Sequence, residues 1–284
     1  MGSNQQSGDT KFDYSGSTAL VTGASKGLGA AFAEALAERG MNLVLVARST
    51  GELNALSTRL YAKYKVHRTV LSIDLADPSS PQTIAEELER RGIEIDLLVN
   101  NAGFGLNGAF LSHDPKQKQA EIEVNVQALV ALTHVFGNAM ASRGKGGIIN
   151  VASNASFQPV PYMATYAATK AFVLHFSEAI RHELAERGVQ VMATCPGPTA
   201  TSFFEGTCTQ LSPKDMDDAE SVVRRTLDAF DQKRDVAYPG RMSVRLTSWL
   251  PRLLPRSLVA RIAGNATAKM GLGDRIPVPI LNRR

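Results

Sequence analysis

A chain of 284 residues, 44% hydrophobic and 20% charged, can bury a full core in one large domain. Two cysteines make no disulfide framework, the five histidines show no metal-ligand spacing, and no apolar run is long enough to span a bilayer. A disulfide scaffold, a metal centre and a membrane-spanning protein are therefore excluded, and a cytoplasmic location is expected.

In chain order, the first ten residues, M-G-S-N-Q-Q-S-G-D-T, are polar and lack the charged-then-apolar layout of a signal peptide, and residues 1–12 are expected to be a disordered tail. A single domain over residues 13–239 follows. Its first apolar strand, Ala19 to Thr22, runs into a glycine-rich turn and then a helical pattern. Further strands are predicted at Leu43 to Ala47, Thr69 to Ile73, Leu97 to Asn100, Gly147 to Val151, Gln190 to Cys195 and Val236 to Tyr238. Strands alternating with amphipathic helices predict an α/β fold, a doubly wound parallel sheet with helices on both faces. Right-handed crossovers then place a ligand at the carboxyl ends of the strands. Cys195 ends a predicted buried strand and reads as inert packing.

Two stretches carry chemistry. In T-G-A-S-K-G-L-G, Thr22 to Gly29, Gly23, Gly27 and Gly29 permit a tight turn and close backbone approach to a pyrophosphate, and the following helix points its N-terminal amides at that phosphate. In T-Y-A-A-T-K-A, Tyr166 and Lys170 share a helix face one turn apart, with Ser153 thirteen residues upstream of the tyrosine. An ammonium beside a phenol lowers its pKa and makes it a general acid/base, as carbonyl/alcohol redox chemistry requires. At the end of the second strand, NAD-binding folds place an acidic residue on the ribose hydroxyls. Here Ala47 fills that slot and Arg48 follows, with Lys26 a second cation, which suits the 2′-phosphate of NADPH.

The motifs T-G-A-S-K-G-L-G, N-N-A-G at Asn100 to Gly103, Asn125 in E-V-N-V, the Ser153/Tyr166/Lys170 set and P-G-P-T at Pro196 to Thr199 occur in order. Over roughly residues 16 to 205 the chain resembles the short-chain dehydrogenase/reductase family, with its single-domain Rossmann fold. The resemblance implies carbonyl reduction with Ser153 and Tyr166 on the substrate oxygen, and Lys170 on the nicotinamide ribose. Asn125 would hold a water that links Lys170 to solvent, or bond to helix backbone instead. Thr22, Ser25, Leu28, Ser49, Ala102 and Gly103 would line the nucleotide, Asp74 and Leu75 the adenine, and Pro196, Gly197 and Thr199 the carboxamide. Asn101 reads as a scaffold residue that also closes the cofactor wall. The resemblance also implies a homo-oligomer, paired through the helices that carry Asn125 and Tyr166.

Two rival readings stand beside this one. Gly23 to Gly27 also spells G-x-S-x-G, the nucleophile elbow of α/β-hydrolases with Ser25 as nucleophile. A non-catalytic NADPH-binding sensor or scaffold of the same fold is the other. Ser156 to Phe172 looks similar to long-chain 3-oxoacyl-CoA and steroid 17-keto reductases. An apolar ketone is thus the expected small-molecule substrate, with Phe157, Val160, Tyr162 and Met163 lining a pocket and Phe203 and Phe204 on a lid. From Lys233 onward there are eleven Lys/Arg against two Asp/Glu, although the whole chain carries only +4. Residues 240–284 therefore form a basic arm, cut into short helices by Pro251 and Pro255. The arm either packs over the substrate cleft or a partner subunit, or rests on anionic lipid. Its leucine content argues against nucleic acid.

Overall fold

The computed structural model describes residues 11–204, 212–249, 251 and 253–272. Seven strands form one sheet: β1 (Thr18–Thr22), β2 (Asn42–Ala47), β3 (Arg68–Ser72), β4 (Leu97–Asn100), β5 (Gly146–Val151), β6 (Val189–Thr194) and β7 (Val236–Ala237). Every pairing is parallel, in the order β3-β2-β1-β4-β5-β6-β7. The order reverses between β1 and β4, which opens a crevice at their carboxyl ends. Each predicted strand is present, β4 over its predicted range and the others with ends shifted by no more than one residue.

The side-chain period of two explains why these runs are almost wholly apolar. Ala19 and Val21 of β1, Leu43 and Leu45 of β2, and Leu97 and Val99 of β4 face one core. That core is closed by Phe32 and Leu36 of α1 (Gly27–Glu38), Leu53 and Leu60 of α2 (Thr50–Tyr64), and Leu227 and Phe230 of α7, whose range is Ala219–Asp231. Leu20, Val44, Leu98 and Ile148 face the other. There they meet Ile84 and Leu88 of α3 (Ser80–Arg90), Leu132 and Phe136 of α5 (Leu129–Arg143), and Ile180 of α6 (Ala164–Ala185). A short α4 (Pro115–Ile122) runs into α5 through a π-helical turn, Glu123–Ala128.

Both ends of the described chain pack on this body. Phe12, assigned by sequence to the disordered tail, packs edge-on against Tyr14 and at a tilt against Phe230, with ring centroids 5.1 and 5.5 Å apart. Residues 1–10 of that tail, Cys208 and residues 273–284 of the arm lie outside the described residues. The arm carries α8 (Met242–Trp249) and α9 (Arg256–Lys269). α8 rests on the 3-10 turn Asn154–Phe157, and Gly264 of α9 lies so close to Pro161 that a Cβ there would be 3.1 Å from its ring. Met270 and Leu272, just past α9, join an apolar cluster with Val160, Met163 and Tyr166.

Candidate active site

The glycine turn is held by contacts that leave no space for side chains. Thr22 Oγ1 accepts from the backbone N–H of Asn101 at 2.9 Å and of Ala102 at 3.0 Å, and Asn101 Nδ2 donates to Thr22 O at 2.8 Å. A Cβ on Gly23 (φ +64°) would sit 2.9 Å from Ala102 Cα, and one on Gly29 would sit 2.0 Å from Gly23 O. Gly27 (φ +58°) faces Thr201 beyond the P-G-P-T segment. Helix α1 starts at Gly27 with no side-chain cap from Lys26 and no acidic residue in its first turn. Its first amides and positive dipole end are therefore suited to an anion. Ser25 and Leu28 are half-buried, and Leu28 packs on the core. Ser25 makes no hydrogen bond to a histidine among the described residues, so the elbow reading has no geometry behind it.

At the end of β2, Arg48 and Ser49 are exposed, as is Lys26. Ala47 leaves no carboxylate in its slot, and neither Arg48 nor Lys26 forms an ion pair among the described residues. Past β3, Asp74 is exposed and accepts from Ala76 N at 3.0 Å, while Leu75 is buried. Pro196 and Thr199 are buried, with Thr199 Oγ1 donating to Gly197 O at 2.9 Å.

Ser153 lies just past β5 and caps the 3-10 turn: its hydroxyl accepts from Ala155 N at 3.1 Å, while Ser156 Oγ accepts from Ser153 N. Ser156 in turn donates to Lys170 O at 2.8 Å, tying that turn to α6. Tyr166 and Lys170 share the buried face of α6, and the ammonium lies 5.9 Å from the phenol ring centroid. Proximity does not lower the phenol's pKa here. Burial pushes Tyr166 up to about 12, with the Ser153 hydrogen bond opposing and the Glu121 carboxylate adding. Burial also pulls Lys170 down to about 8, and its ammonium donates to Val151 O at 2.7 Å. The expectation of a depressed phenol pKa is thus corrected, because desolvation of the buried phenol dominates its environment and raises it instead.

Asn125 sits in the π-helical turn, fully buried. Its amide is committed to structure: Oδ1 accepts from Phe104 N at 3.0 Å, and Nδ2 donates to Phe104 O at 2.9 Å and to Thr169 Oγ1 at 3.1 Å. The backbone it clamps is that of a loop residue, Phe104, and not the helix backbone anticipated as one of its two roles. The clamped loop passes over the reactive side chains. A Cβ on Gly103 would stand 3.2 Å from Lys170 Nζ, and one on Gly105 would stand 2.9 Å from the Tyr166 ring. Gly105 went unnoticed in the sequence because it stands outside the N-N-A-G motif.

Glu121 was missed too, since a glutamate in K-Q-K-Q-A-E-I-E reads as a solvated helix face. It is fully buried, four residues before Asn125 on the same helical run, and accepts from Leu106 N at 3.2 Å. That i, i+4 spacing was the available signal. Val160, Tyr162 and Met163, anticipated to line a pocket, pack with Tyr166 in one apolar cluster, and the Phe203 ring lies 5.2 Å from the Tyr166 ring. Phe157 instead stacks on Tyr238 in a separate cluster. Tyr162 holds a left-handed backbone (φ 66°), fixed by Gly108 N donating to its carbonyl at 2.9 Å. Such a conformer costs about 1 kcal/mol or more for a bulky residue. Of Phe204 only the backbone is described.

A switch-point crevice with an uncapped glycine turn on one side and a buried Ser–Tyr–Lys group on the other defines a Rossmann-type nucleotide-binding protein. A family model described as short chain dehydrogenase matches residues 17–211, and the chain belongs to that family of oxidoreductases, which bind nicotinamide cofactors. A very-long-chain 3-oxoacyl-CoA reductase of Podospora anserina is 36% identical over 189 residues, 64% of this chain and 54% of its own length. The chain thus spans about half of that curated relative. A bulky-bulky ketone specific alcohol dehydrogenase from Comamonas testosteroni superposes with a TM-score of 0.74 at 33% identity, covering 84% of this chain and 91% of that one. A short-chain dehydrogenase from Sphingobium yanoikuyae in complex with NADPH gives a TM-score of 0.74 at 30% identity, covering 93% and 99%.

Proposed function

We propose that the chain is an NADPH-dependent reductase that turns the carbonyl of an apolar ketone or 3-oxoacyl group into an alcohol, with Tyr166 as general acid. The observation that carries this reading is the meeting of Ser153, Tyr166 and Lys170 in one buried spot beside the glycine turn. The nicotinamide, when bound, supplies a hydride to the carbonyl carbon. Ser153 and Tyr166 hydrogen-bond the carbonyl oxygen and orient it. With its pKa near 12, Tyr166 keeps its proton at neutral pH and gives it to that oxygen as negative charge develops there. The product is the alcohol, and the phenolate left behind is reprotonated from solvent past Lys170 and the loop that Asn125 holds. Lys170 binds the nicotinamide ribose hydroxyls.

The residues at the other end of the crevice suit NADPH. The α1 amides lack a side-chain cap, and two exposed cations, Arg48 and Lys26, flank a site without a carboxylate. The apolar wall of Val160, Tyr162, Met163 and Phe203 suits an apolar substrate, and the names of the Podospora and Comamonas relatives support a bulky or acyl ketone.

Fluorescence titration with NADPH and NADH tests the cofactor half. Wild type is expected to prefer NADPH, and Arg48→Asp to shift the preference toward NADH by about tenfold or more; an unchanged ratio rules out the phosphate site. For the chemical half, Tyr166→Phe is expected to cut turnover of an apolar ketone by about a thousandfold while NADPH affinity stays within about twofold. Retained turnover would remove the phenol from the mechanism. Tight NADPH binding by a wild-type protein that reduces no apolar ketone would favour the sensor.

A further inference from the structure

We propose that the outer face of the C-terminal arm is a docking surface for an anionic lipid bilayer. The inner side of the arm is spent on the body: α8 lies on the Asn154–Phe157 turn with Ser248 buried, and α9 buries Val259 and Thr267. What remains outside is apolar to an unusual degree. Met242 is 68% exposed, Leu246 65% and Leu253 81%, and Trp249 and Ile262 are about half exposed. Half of the large hydrophobic side chains that stand exposed among the described residues fall within this short stretch. Met242, Leu246 and Trp249 recur at i, i+4 and i+7, so they form one stripe along α8.

The charge around the stripe selects the occupant. No Asp or Glu occurs between Gly240 and Gly273, while Lys or Arg stands at 241, 245, 252, 256, 261 and 269. Arg241 is paired with Asp217 at 3.1 Å. Arg245, Arg256, Arg261 and Lys269 are exposed, with no carboxylate partner among the described residues. A second copy docked through the same face would set cation against cation across a two-fold axis. Anionic headgroups satisfy both features at once, taking the cations while the stripe enters the acyl boundary. No helix of the described residues is long and apolar enough to cross a membrane, so the arm would lie in the interface plane. The same arm brings Met270 and Leu272 against the Tyr166 cluster, which would set the bilayer beside the apolar side of the site.

The chain's single tryptophan, Trp249, reports on this face directly. Purified protein is mixed with vesicles of phosphatidylcholine plus phosphatidylglycerol, or of phosphatidylcholine alone, and followed by co-sedimentation and Trp emission. The expected result is binding to the anionic vesicles with a blue shift, weakened by salt and at least tenfold weaker on phosphatidylcholine. Leu246→Asp with Leu253→Asp is expected to weaken binding tenfold or more, with the circular dichroism spectrum and thermal midpoint unchanged. Should that pair fail to fold, Arg256→Gln with Arg261→Gln keeps the apolar face and is expected to weaken binding about fivefold per residue. Absence of binding to anionic vesicles overturns the proposal, as does binding that survives both pairs of substitutions. A blue shift that follows protein concentration without lipid overturns it in favour of a second copy.

Discussion

Lys170 is almost fully buried with its ammonium on a backbone carbonyl, and folding weakens its hold on its proton, to a pKa of about 8 against an ordinary 10.5. Between those values the unfolded chain binds more protons than the native one, so stability rises with pH across that window; below about pH 8 the penalty is complete. Tyr166 works in the opposite sense. Its pKa is raised to about 12 from 10.0, so the stability it contributes is intact below about pH 10 and is lost as pH climbs toward 12. At neutral pH the buried ammonium costs on the order of 3 kcal/mol. Lys170→Met is therefore expected to raise the thermal midpoint at pH 7 and to remove the rise toward pH 9, as read by melting curves across pH. A wild-type midpoint that is flat between pH 7 and 9 would show that Lys170 keeps an ordinary pKa. Tyr166 and Lys170 were both legible as a pair, because i, i+4 spacing is local. The direction of the phenol's shift was not, because it depends on how much water the whole fold excludes.

At the scale of elements, the strand–turn–helix unit shows what its glycines are for. A Cβ on Gly29 would run into the backbone of Gly23, whereas Gly51, inside α2, has nothing within 4 Å of its Cβ position. The same substitution should therefore act with opposite signs. Gly29→Ala is expected to cost about 3 kcal/mol and to weaken nucleotide binding, while Gly51→Ala is expected to add about 0.5 kcal/mol. Urea unfolding of the two variants checks this, and equal effects would mean that the close approach in α1 is relieved by movement. The glycine spacing and the flanking strand and helix were readable from the chain. The clamp of Asn101 and Ala102 on Thr22, from the loop just past a strand about eighty residues away, came only with the sheet. The π-helical turn at Asn125 was likewise invisible, since nothing in E-V-N-V distinguishes it from a regular helix.

For the molecule as a whole, the arm is part of the folded body rather than an appendage. Leu272 is 4% exposed against Val160, Met163 and Tyr166, so Leu272→Ala is expected to cost about 2–3 kcal/mol by urea unfolding. A cost under about 0.5 kcal/mol would mean that the arm does not sit there.

Local pattern by itself determined the strands, the glycine turn, the Ser153–Tyr166–Lys170 set and, through crossover handedness, the doubly wound sheet, because each rests on residue spacing of two, four or a short turn. Only the tertiary structure decided that Glu121 is buried, that Phe12 belongs to the core, that Phe157 leaves the pocket wall for Tyr238, and that the arm closes on the tyrosine. Those facts are set by which distant surfaces meet and how completely they exclude water, and no short stretch of chain carries that information.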